Sequence, residues 1–385
     1  MNILFFFTSE VIQNAGGVEN VTIFWYNYFK SQGNNVYIMY INSHPILQAT
    51  IPQTQIPDPQ HYDAIKNIEY IKDYIITNQI DIVINQAALN NKSSLACTEA
   101  CRLTRTRLIS VIHNTPQWYI KSNKHLYLLS KRRLGNLILN KILSLIQRAP
   151  FYKGGRYIYE NSEAIVVLSP SYIKEYCDLN VGKSSHKVTA IANPLIFSRP
   201  ITLTPKSNTV LFVGRLSDQK AIDKLLHIWH SIEALGTNWN LKIIGDGPNR
   251  LELQQLSHSL NLRQVSFIGY ANPIPYYLEA KILCLTSLFE GFPMTLIECQ
   301  AYGVVPIVYD SFSAAHDIIE NTYNGYVIPQ FNEKLYVSSL YKLMQNPTIL
   351  NKMQEHCRKI VDRYNVDTIS QKWCNIIYNK HEANV

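Results

Sequence analysis

The chain has 385 residues, too many for one ordinary hydrophobic core, so two domains are expected. Its 46% hydrophobic and 17% charged residues exclude a disordered or fibrous chain and fit a well-buried globular one. The formal net charge is +8 and is unevenly spread: residues 1–195 carry 19 Lys and Arg against 12 Asp and Glu, residues 196–385 carry 17 against 16. No run approaches the ~18 apolar residues that would span a bilayer. Seven cysteines, an odd number without a Cys-x2-Cys pair, point to a reduced, cytoplasmic protein. Cys97 and Cys101, one helical turn apart, read as packing.

Residues 3–7 (Ile-Leu-Phe-Phe-Phe) read as a first strand. No basic stretch precedes them, and Thr8, Ser9 and Glu10 follow at once, which argues against a signal peptide. A polar loop ends in Ala15-Gly16-Gly17-Val18-Glu19. Val21, Phe24, Trp25, Tyr28 and Phe29 then recur at helical spacing, and Gly33 stops the helix. With a strand at 36–41, the opening is β, glycine turn, α, β, a Rossmann-like unit. Gly16 and Gly17 let backbone approach a ligand, although a plain turn uses the same pair.

Residues 43–60, rich in Pro, Gln and Thr, read as a surface loop, 61–79 as a helix, and 80–85 and 108–112 as strands. The last of these runs into His113-Asn114-Thr115-Pro116, which leaves His113 at the carboxyl end of a strand, facing a ligand or capping a loop. Between Glu99 and Glu160 there is no acidic residue, only basic ones. Within that span Leu134, Ile138, Ile142 and Leu145 share a helical face, while Lys131, Arg132, Arg133, Lys141 and Arg148 cover the rest. Trp118, Tyr119, Tyr127, Tyr152, Tyr157 and Tyr159 flank it. Such a basic amphipathic helix suits an anionic bilayer surface, where each Lys or Arg adds ~1 kcal/mol. A core-facing helix with a solvated basic face is the alternative. The complete lack of acids favours peripheral contact, through about 121–156, with the inner face of the cytoplasmic membrane. No nucleic-acid module is visible, so nucleic acid is not an expected partner.

Residues 164–168 read as a strand, Ser169-Pro170-Ser171 opens a helix, and 188–192 is the last strand of a domain spanning 1–195. A polar linker through Ser198-Arg199-Pro200 and Thr204-Pro205 leads to a second domain, 200–360. There the pattern restarts. A strand at 210–213 meets the turn Gly214-Arg215-Leu216-Ser217-Asp218-Gln219-Lys220, and a helix with Leu225, Leu226 and Trp229 inward follows. Strand 241–244 ends in Gly245-Asp246-Gly247-Pro248, and strand 265–268 in Gly269-Tyr270. The apolar run 282–285 reads as a buried parallel strand. Behind it come Glu290-Gly291-Phe292-Pro293 and a helix holding Met294, Thr295, Leu296 and Glu298. Gly291 permits an unusual turn angle, and Pro293 suits the first helical position. Strands at 305–310 and 326–328 and a helical tail from about 334 complete the chain.

Glu290 and Glu298 are eight residues apart. A helix of that length rises ~12 Å, whereas retaining glycosidases hold their carboxyls ~5–5.5 Å apart, so a hydrolase pair is disfavoured. The two side chains fit different parts of one elongated ligand, or two solvated positions. The helix start between them offers free N–H groups to an anion.

The Glu-x7-Glu block behind a strand, with Gly291 beside the first Glu, resembles the signature of family 4 glycosyltransferases. Gly214-Arg215-Leu216 with Lys220, and Gly245-Asp246-Gly247-Pro248, stand upstream in the family's order. The resemblance covers most of the chain and is strongest over 210–330. It implies an α/β chain of GT-B fold: two Rossmann-like domains facing across a deep cleft, acceptor-binding first and nucleotide-sugar-binding second. The last helix, about 365–385, would pack back on the first domain. It also implies retaining transfer of a hexosyl or N-acetylhexosaminyl group from a nucleotide-sugar, by family frequency a UDP-sugar. The acceptor would be a membrane-associated glycan or lipid-linked saccharide of lipopolysaccharide, capsule or O-antigen synthesis.

By carry-over, Arg215 and Lys220 hold the pyrophosphate, Glu298 the ribose hydroxyls and Glu290 the donor sugar, with His113 beside that sugar. Backbone at Phe292, Met294 and Thr295 cradles phosphate and sugar, and Gly16, Gly17, Gly214, Gly245, Gly291 and Leu296 line the same site. The catalytic set is Glu290, His113, Lys220 and Arg215. Departure of a nucleotide develops negative charge, which a metal on Asp-x-Asp or fixed cations and a helix start can stabilise. The sequence has no Asp-x-Asp, so no metal and no cofactor is expected. Two departures stand out. Ala221 replaces the usual Gly after Lys220, and 311–315 lacks the usual Gly pair. A sugar-nucleotide epimerase of the same fold and a non-catalytic nucleotide-sugar-binding protein are the rival readings.

Overall fold

The computed structural model describes residues 1–13, 16–44, 49–88, 91–117, 154–180, 186–197 and 205–378. The chain divides into two units: Met1–Ile196 with Asp367–Val385, and Phe197–Val366.

The first unit is built from β1 (Asn2–Ser9), α1 (Gly17–Ser31), β2 (Asn35–Asn42), β3 (Thr54–Gln55), α2 (Ile65–Thr77), β4 (Ile82–Asn85), α3 (Asn91–Thr104), β5 (Arg107–Ile112), β6 (Ala164–Val167), α4 (Ser171–Asn180) and β7 (Val188–Ala190). Its sheet runs β3-β2-β1-β4-β5-β6-β7 with every pairing parallel. The central strands are apolar at consecutive positions because helices cover both faces, so no alternation survives: β4 and β6 are buried throughout.

One expectation is amended, one helix was not expected, and one stretch goes largely undescribed. The 43–60 loop carries β3, a two-residue strand that pairs Thr54 with Met39 and Gln55 with Tyr40. Helix α3 carries no clear apolar period, because small and partly polar residues fill its buried face: Ser94, Ala96, Cys97, Thr98, Ala100 and Cys101. Most of the basic amphipathic stretch, 118–153, lies outside the described residues; 154–161 is helical, with Tyr157 on Glu99 and Arg156 paired with Glu160.

The second unit holds β8 (Thr209–Val213), α5 (Ile222–Glu233), β9 (Asn240–Ile244), α6 (Arg250–Ser259), β10 (Val265–Gly269), α7 (Ile274–Glu279), β11 (Ile282–Leu285), α8 (Met294–Ala301), β12 (Val305–Asp310), α9 (Ala314–Ile318), β13 (Tyr326–Pro329), α10 (Glu333–Gln345) and α11 (Pro347–Ile360). Its sheet order is β10-β9-β8-β11-β12-β13, again all parallel. The order reverses beside the first strand of each unit, between β1 and β4 and between β8 and β11. Open α/β sheets bind ligands outside the carboxyl ends of the strands at such a reversal.

Helix α12 (Val366–Tyr378) returns to the first unit. Trp373 and Ile377 are its buried face, and Trp373 meets Trp25 of α1 at 5.9 Å between ring centroids. Helix ends leave carbonyls without intrahelical donors. Here Arg107 supplies them: its guanidinium donates to Ile376 O at 2.9 Å and Ile377 O at 2.8 Å while pairing with Glu163 at 2.7 Å.

The turns after β8 and β9 touch backbone to backbone. Gly214 N donates to Ile244 O at 3.0 Å, and Leu216 N to Asp246 O at 2.9 Å. A Cβ on Gly245, whose φ is +136°, would sit 1.9 Å from Gly214 O. Ala221, at φ 45° and ψ 50°, holds a left-handed conformation that a side chain resists. This is the physical reason glycine suits the position. Ala221→Gly should therefore raise stability by ~0.5–1 kcal/mol in urea unfolding, the relief of strain exceeding the entropy that glycine adds to the unfolded chain. Gly245→Ala should lower it by more than ~2 kcal/mol, since a carbonyl cannot yield as a flexible side chain can.

Candidate active site

The site grows from two loops on either side of the β8/β11 reversal. Backbone bonds fasten them first. Leu288 N donates to Gln219 O at 2.8 Å, and Gln219 Nε2 donates to Phe289 O at 3.0 Å. Thr286 Oγ1 donates to Ala221 O at 3.0 Å. From the ends of the next two strands, β12 and β13, Ser311 Oγ donates to Ser287 O at 2.6 Å, and Gln330 Nε2 to Leu288 O at 3.2 Å. The departure at 311–315 thus has a structural content: Ser311 braces the loop that carries Glu290.

On this frame Lys220 and Glu290 meet, Nζ to Oε1 at 2.5 Å, with side chains 17% and 7% exposed. Ser287 Oγ donates to the same Oε1 at 2.6 Å. Two donors on one oxygen fix the carboxylate, and the ammonium keeps two further N–H bonds to give. Arg215, five residues before Lys220 in the same turn, is exposed, and among the described residues no acceptor reaches its guanidinium.

Helix α8 starts one residue later than the proline spacing implied. Pro293 is the residue before the first helical turn, at φ −68° and ψ 104°, not its first member. Gly291 is not among the described glycines with positive φ; Gly214 and Gly245 are. The turn at Gly291 is made without a left-handed residue, while the glycines of the β8 and β9 turns meet that demand. Met294 and Thr295 open the helix, and among the described residues their N–H groups have no acceptor. Leu296 differs: its side chain is fully buried and its N–H already donates to Pro293 O at 2.9 Å, so it offers a ligand nothing. Phe292 is buried against the edge of Tyr364, ring centroids 5.5 Å apart.

Glu298 lies on α8 facing inward, 8% exposed, with Tyr277 Oη donating to its Oε2 at 3.1 Å. Burial raises its carboxyl to about 7, and the tyrosine hydrogen bond opposes that rise. Its neighbour in the motif, Glu290, has a cation; Glu298 has a phenol.

His113, Gly16 and Gly17 belong to the first unit. Gly17 is the first residue of α1, after an extended Gly16. Glu19 folds back over that start; a Cβ on Gly16 would meet Glu19 Oε2 at 2.4 Å. His113 follows β5, and its Nε2 lies 2.6 Å from Gln86 Oε1, an oxygen also within 3.1 Å of Thr22 Oγ1. An amide oxygen only accepts, so Nε2 carries the proton and Nδ1 the lone pair. Nδ1 is buried without a partner among the described residues. Burial lowers the imidazole to about 4, so His113 is neutral at physiological pH. It lines a small, mostly apolar cavity with Trp25, Gln86, Asn193 and Trp373.

Ser287, Thr286, Gln219, Ser311 and Tyr277 were not read from the sequence as parts of the site. Gln219 lies within the turn Gly214–Lys220 and Ser311 within the departure at 311–315, but neither spacing marks a bond to the Glu290 loop. The seven cysteines are all free, and among the described residues no helix is long and apolar enough to cross a membrane.

Residues 196–361 match the family model described as glycosyl transferases group 1. An uncharacterized glycosyltransferase of Haemophilus influenzae is 30% identical over 194 residues, 48% of this chain and 55% of that protein. The lipopolysaccharide 1,6-galactosyltransferase of Salmonella typhimurium is 34% identical over 155 residues, 37% of this chain and 42% of that one. The chain spans about half the length of the curated relatives it matches. The solved structure of Anabaena HepE in complex with UDP aligns with 98% of this chain and 99% of its own, at a TM-score of 0.73 and 14% identity, a likeness of fold. Residues 196–361 are thus similar to the glycosyl transferases group 1, and the two parallel sheets of the chain form the GT-B fold.

Proposed function

We propose that the chain is a retaining glycosyltransferase of family 4. It moves a hexosyl or N-acetylhexosaminyl group from a nucleotide-sugar, a UDP-sugar first, to a membrane-associated glycan or lipid-linked saccharide. The observation that carries this reading is the cluster after β8 and β11: the Lys220–Glu290 contact, an Arg215 with no acceptor among the described residues, and two open N–H groups at the start of α8. A diphosphate needs fixed positive groups in that arrangement, and a sugar needs a held carboxylate. The name of the Salmonella relative supports a place in lipopolysaccharide or related polysaccharide synthesis, and the UDP in the HepE complex supports uridine.

In this reading the bond from the anomeric carbon to the phosphate oxygen breaks while the acceptor hydroxyl bonds to that carbon on the same face. The hydroxyl proton passes to the leaving phosphate. Arg215 and Lys220 stabilise the charge that builds on the diphosphate, Arg as a planar fork and Lys as a point charge. Their cationic groups and the α8 start do this without a metal. Glu290 orients the sugar hydroxyls and Glu298 accepts from the ribose. The basic stretch at about 121–156 holds the protein against anionic lipid.

A screen of UDP-, GDP- and ADP-sugars by thermal shift and by release of nucleotide, with and without acceptor lipid, tests the assignment. Arg215→Ala, a change at an exposed side chain, should leave the fold intact and cut transfer ~10²-fold or more, and Glu290→Gln should do the same. Wild-type turnover in both variants would remove this site from the chemistry, and a product formed from the donor alone would favour an epimerase. The protein should float with anionic liposomes and not with neutral ones; equal flotation removes the case for the basic stretch.

A further inference from the structure

The Glu-x7-Glu block leaves open what keeps its second carboxylate in place. No cation pairs with Glu298 among the described residues. Its one hydrogen bond there comes from Tyr277, a fully buried residue of α7, whose Oη donates to Oε2 at 3.1 Å. The Tyr277 ring packs on Tyr302 at 5.8 Å between centroids. Helix α7 is short and would be a poor anchor alone. Lys206 fixes its carboxyl end: the partly buried ammonium donates to Tyr277 O at 2.7 Å, Leu278 O at 3.2 Å and Ala280 O at 2.7 Å. A cation on orphan carbonyls at a helix end is favourable in both charge and hydrogen bonding.

We propose that Tyr277, clamped through α7 by Lys206, is the positioning residue for nucleotide binding: it holds Oε2 of Glu298 so that Oε1 faces the cis-diol of a nucleoside diphosphate ribose. This deepens the function proposed above and rests on Glu298 being the ribose ligand. The physical argument has two parts. A carboxylate on a flexible side chain must lose rotamer freedom when it binds, and the tyrosine hydroxyl removes that freedom in advance. The same hydroxyl favours the ionised carboxylate, the form that accepts from two ribose hydroxyls at once. Burial works the other way and has brought Glu298 to about 7, so the hydroxyl acts where it decides the charge state. The other titratable groups around Glu298 are Tyr302 and Cys299, with Lys206 and Cys357 beyond Cys299.

The test measures the affinity of UDP, or of GDP or ADP if the screen shows one of them to bind tighter, by calorimetry from pH 6 to pH 9. It uses wild type, Tyr277→Phe, Glu298→Ala and the double variant. Tyr277→Phe keeps the ring and its packing. It should bind ~tenfold more weakly at pH 7, the loss expected for one hydrogen bond to a charged group. Its affinity should begin to fall at a higher pH than wild type as the solution is acidified, so the gap narrows by pH 9. In the Glu298→Ala background, Tyr277→Phe should change nothing. Wild-type affinity in Glu298→Ala would show that Glu298 is not the ribose ligand, and the reading beneath the proposal would fall. Weak binding in Glu298→Ala beside unchanged binding in Tyr277→Phe would overturn the positioning role alone. So would a Tyr277→Phe loss that is constant with pH and persists without Glu298, which is how a general loosening of α7 would behave.

Discussion

An ammonium and a carboxylate meet in the second unit where little water reaches them, and the arrangement after β8 and β11 turns on how that contact is tolerated. Burying two charges costs several kcal/mol per ion unless geometry and further hydrogen bonds compensate. Lys220 and Glu290 receive that compensation from their own loops. Ser287 shares the carboxylate oxygen, and hydrogen bonds from Leu288 N and from the Gln219 and Thr286 side chains to backbone carbonyls hold the partners in register before the charges are counted. The pair is thus the last stitch in a seam, and the seam lies at the strand-order reversal where the sheet leaves room for a ligand.

The two glutamates of the motif show how environment divides the labour of identical side chains. Glu290 sits with a cation and a hydroxyl, and Glu298 with a phenol inside an apolar wall. One is held by charge, the other by shape and a single directed bond. A sugar with several hydroxyls and a ribose with two adjacent ones make correspondingly different demands on a carboxylate. His113 follows the same logic with the opposite charge: burial keeps its imidazole neutral, and Gln86 assigns which nitrogen carries the proton.

Much of this was legible in the sequence, because the strands are continuous apolar runs between turn residues. β11 and β12 fall where the runs at 282–285 and 305–310 place them. Strand β3 was not legible: two residues at a sheet edge produce no period, and their pairing depends on β2. Helix α3 was missed because small polar and sulfur-bearing residues fill its inner face. The motif residues were visible as a spacing, yet their partners were not. Tyr277 and Lys206 lie 21 and 92 residues before Glu298, on elements that only the folded sheet brings alongside, and no local pattern marks such a contact. The demand for glycine was also misassigned. Gly291 looked like the residue that needed freedom, but it is Gly245 that packs against a neighbouring carbonyl.

Helix α12 has a consequence for how the protein comes into being. The first unit is interrupted: its sheet uses residues up to 190, but the face of α1 that Trp25 occupies and the fork of Arg107 are satisfied by residues 373–377. The second unit, by contrast, is drawn from one unbroken stretch, 197–366. On a ribosome the amino-terminal sheet therefore waits for part of its packing: Arg107 already has Glu163, but its bonds to Ile376 O and Ile377 O and the Trp25–Trp373 contact come only with α12, while the later-made unit already has every residue it requires. The half synthesised first is the half that finishes last.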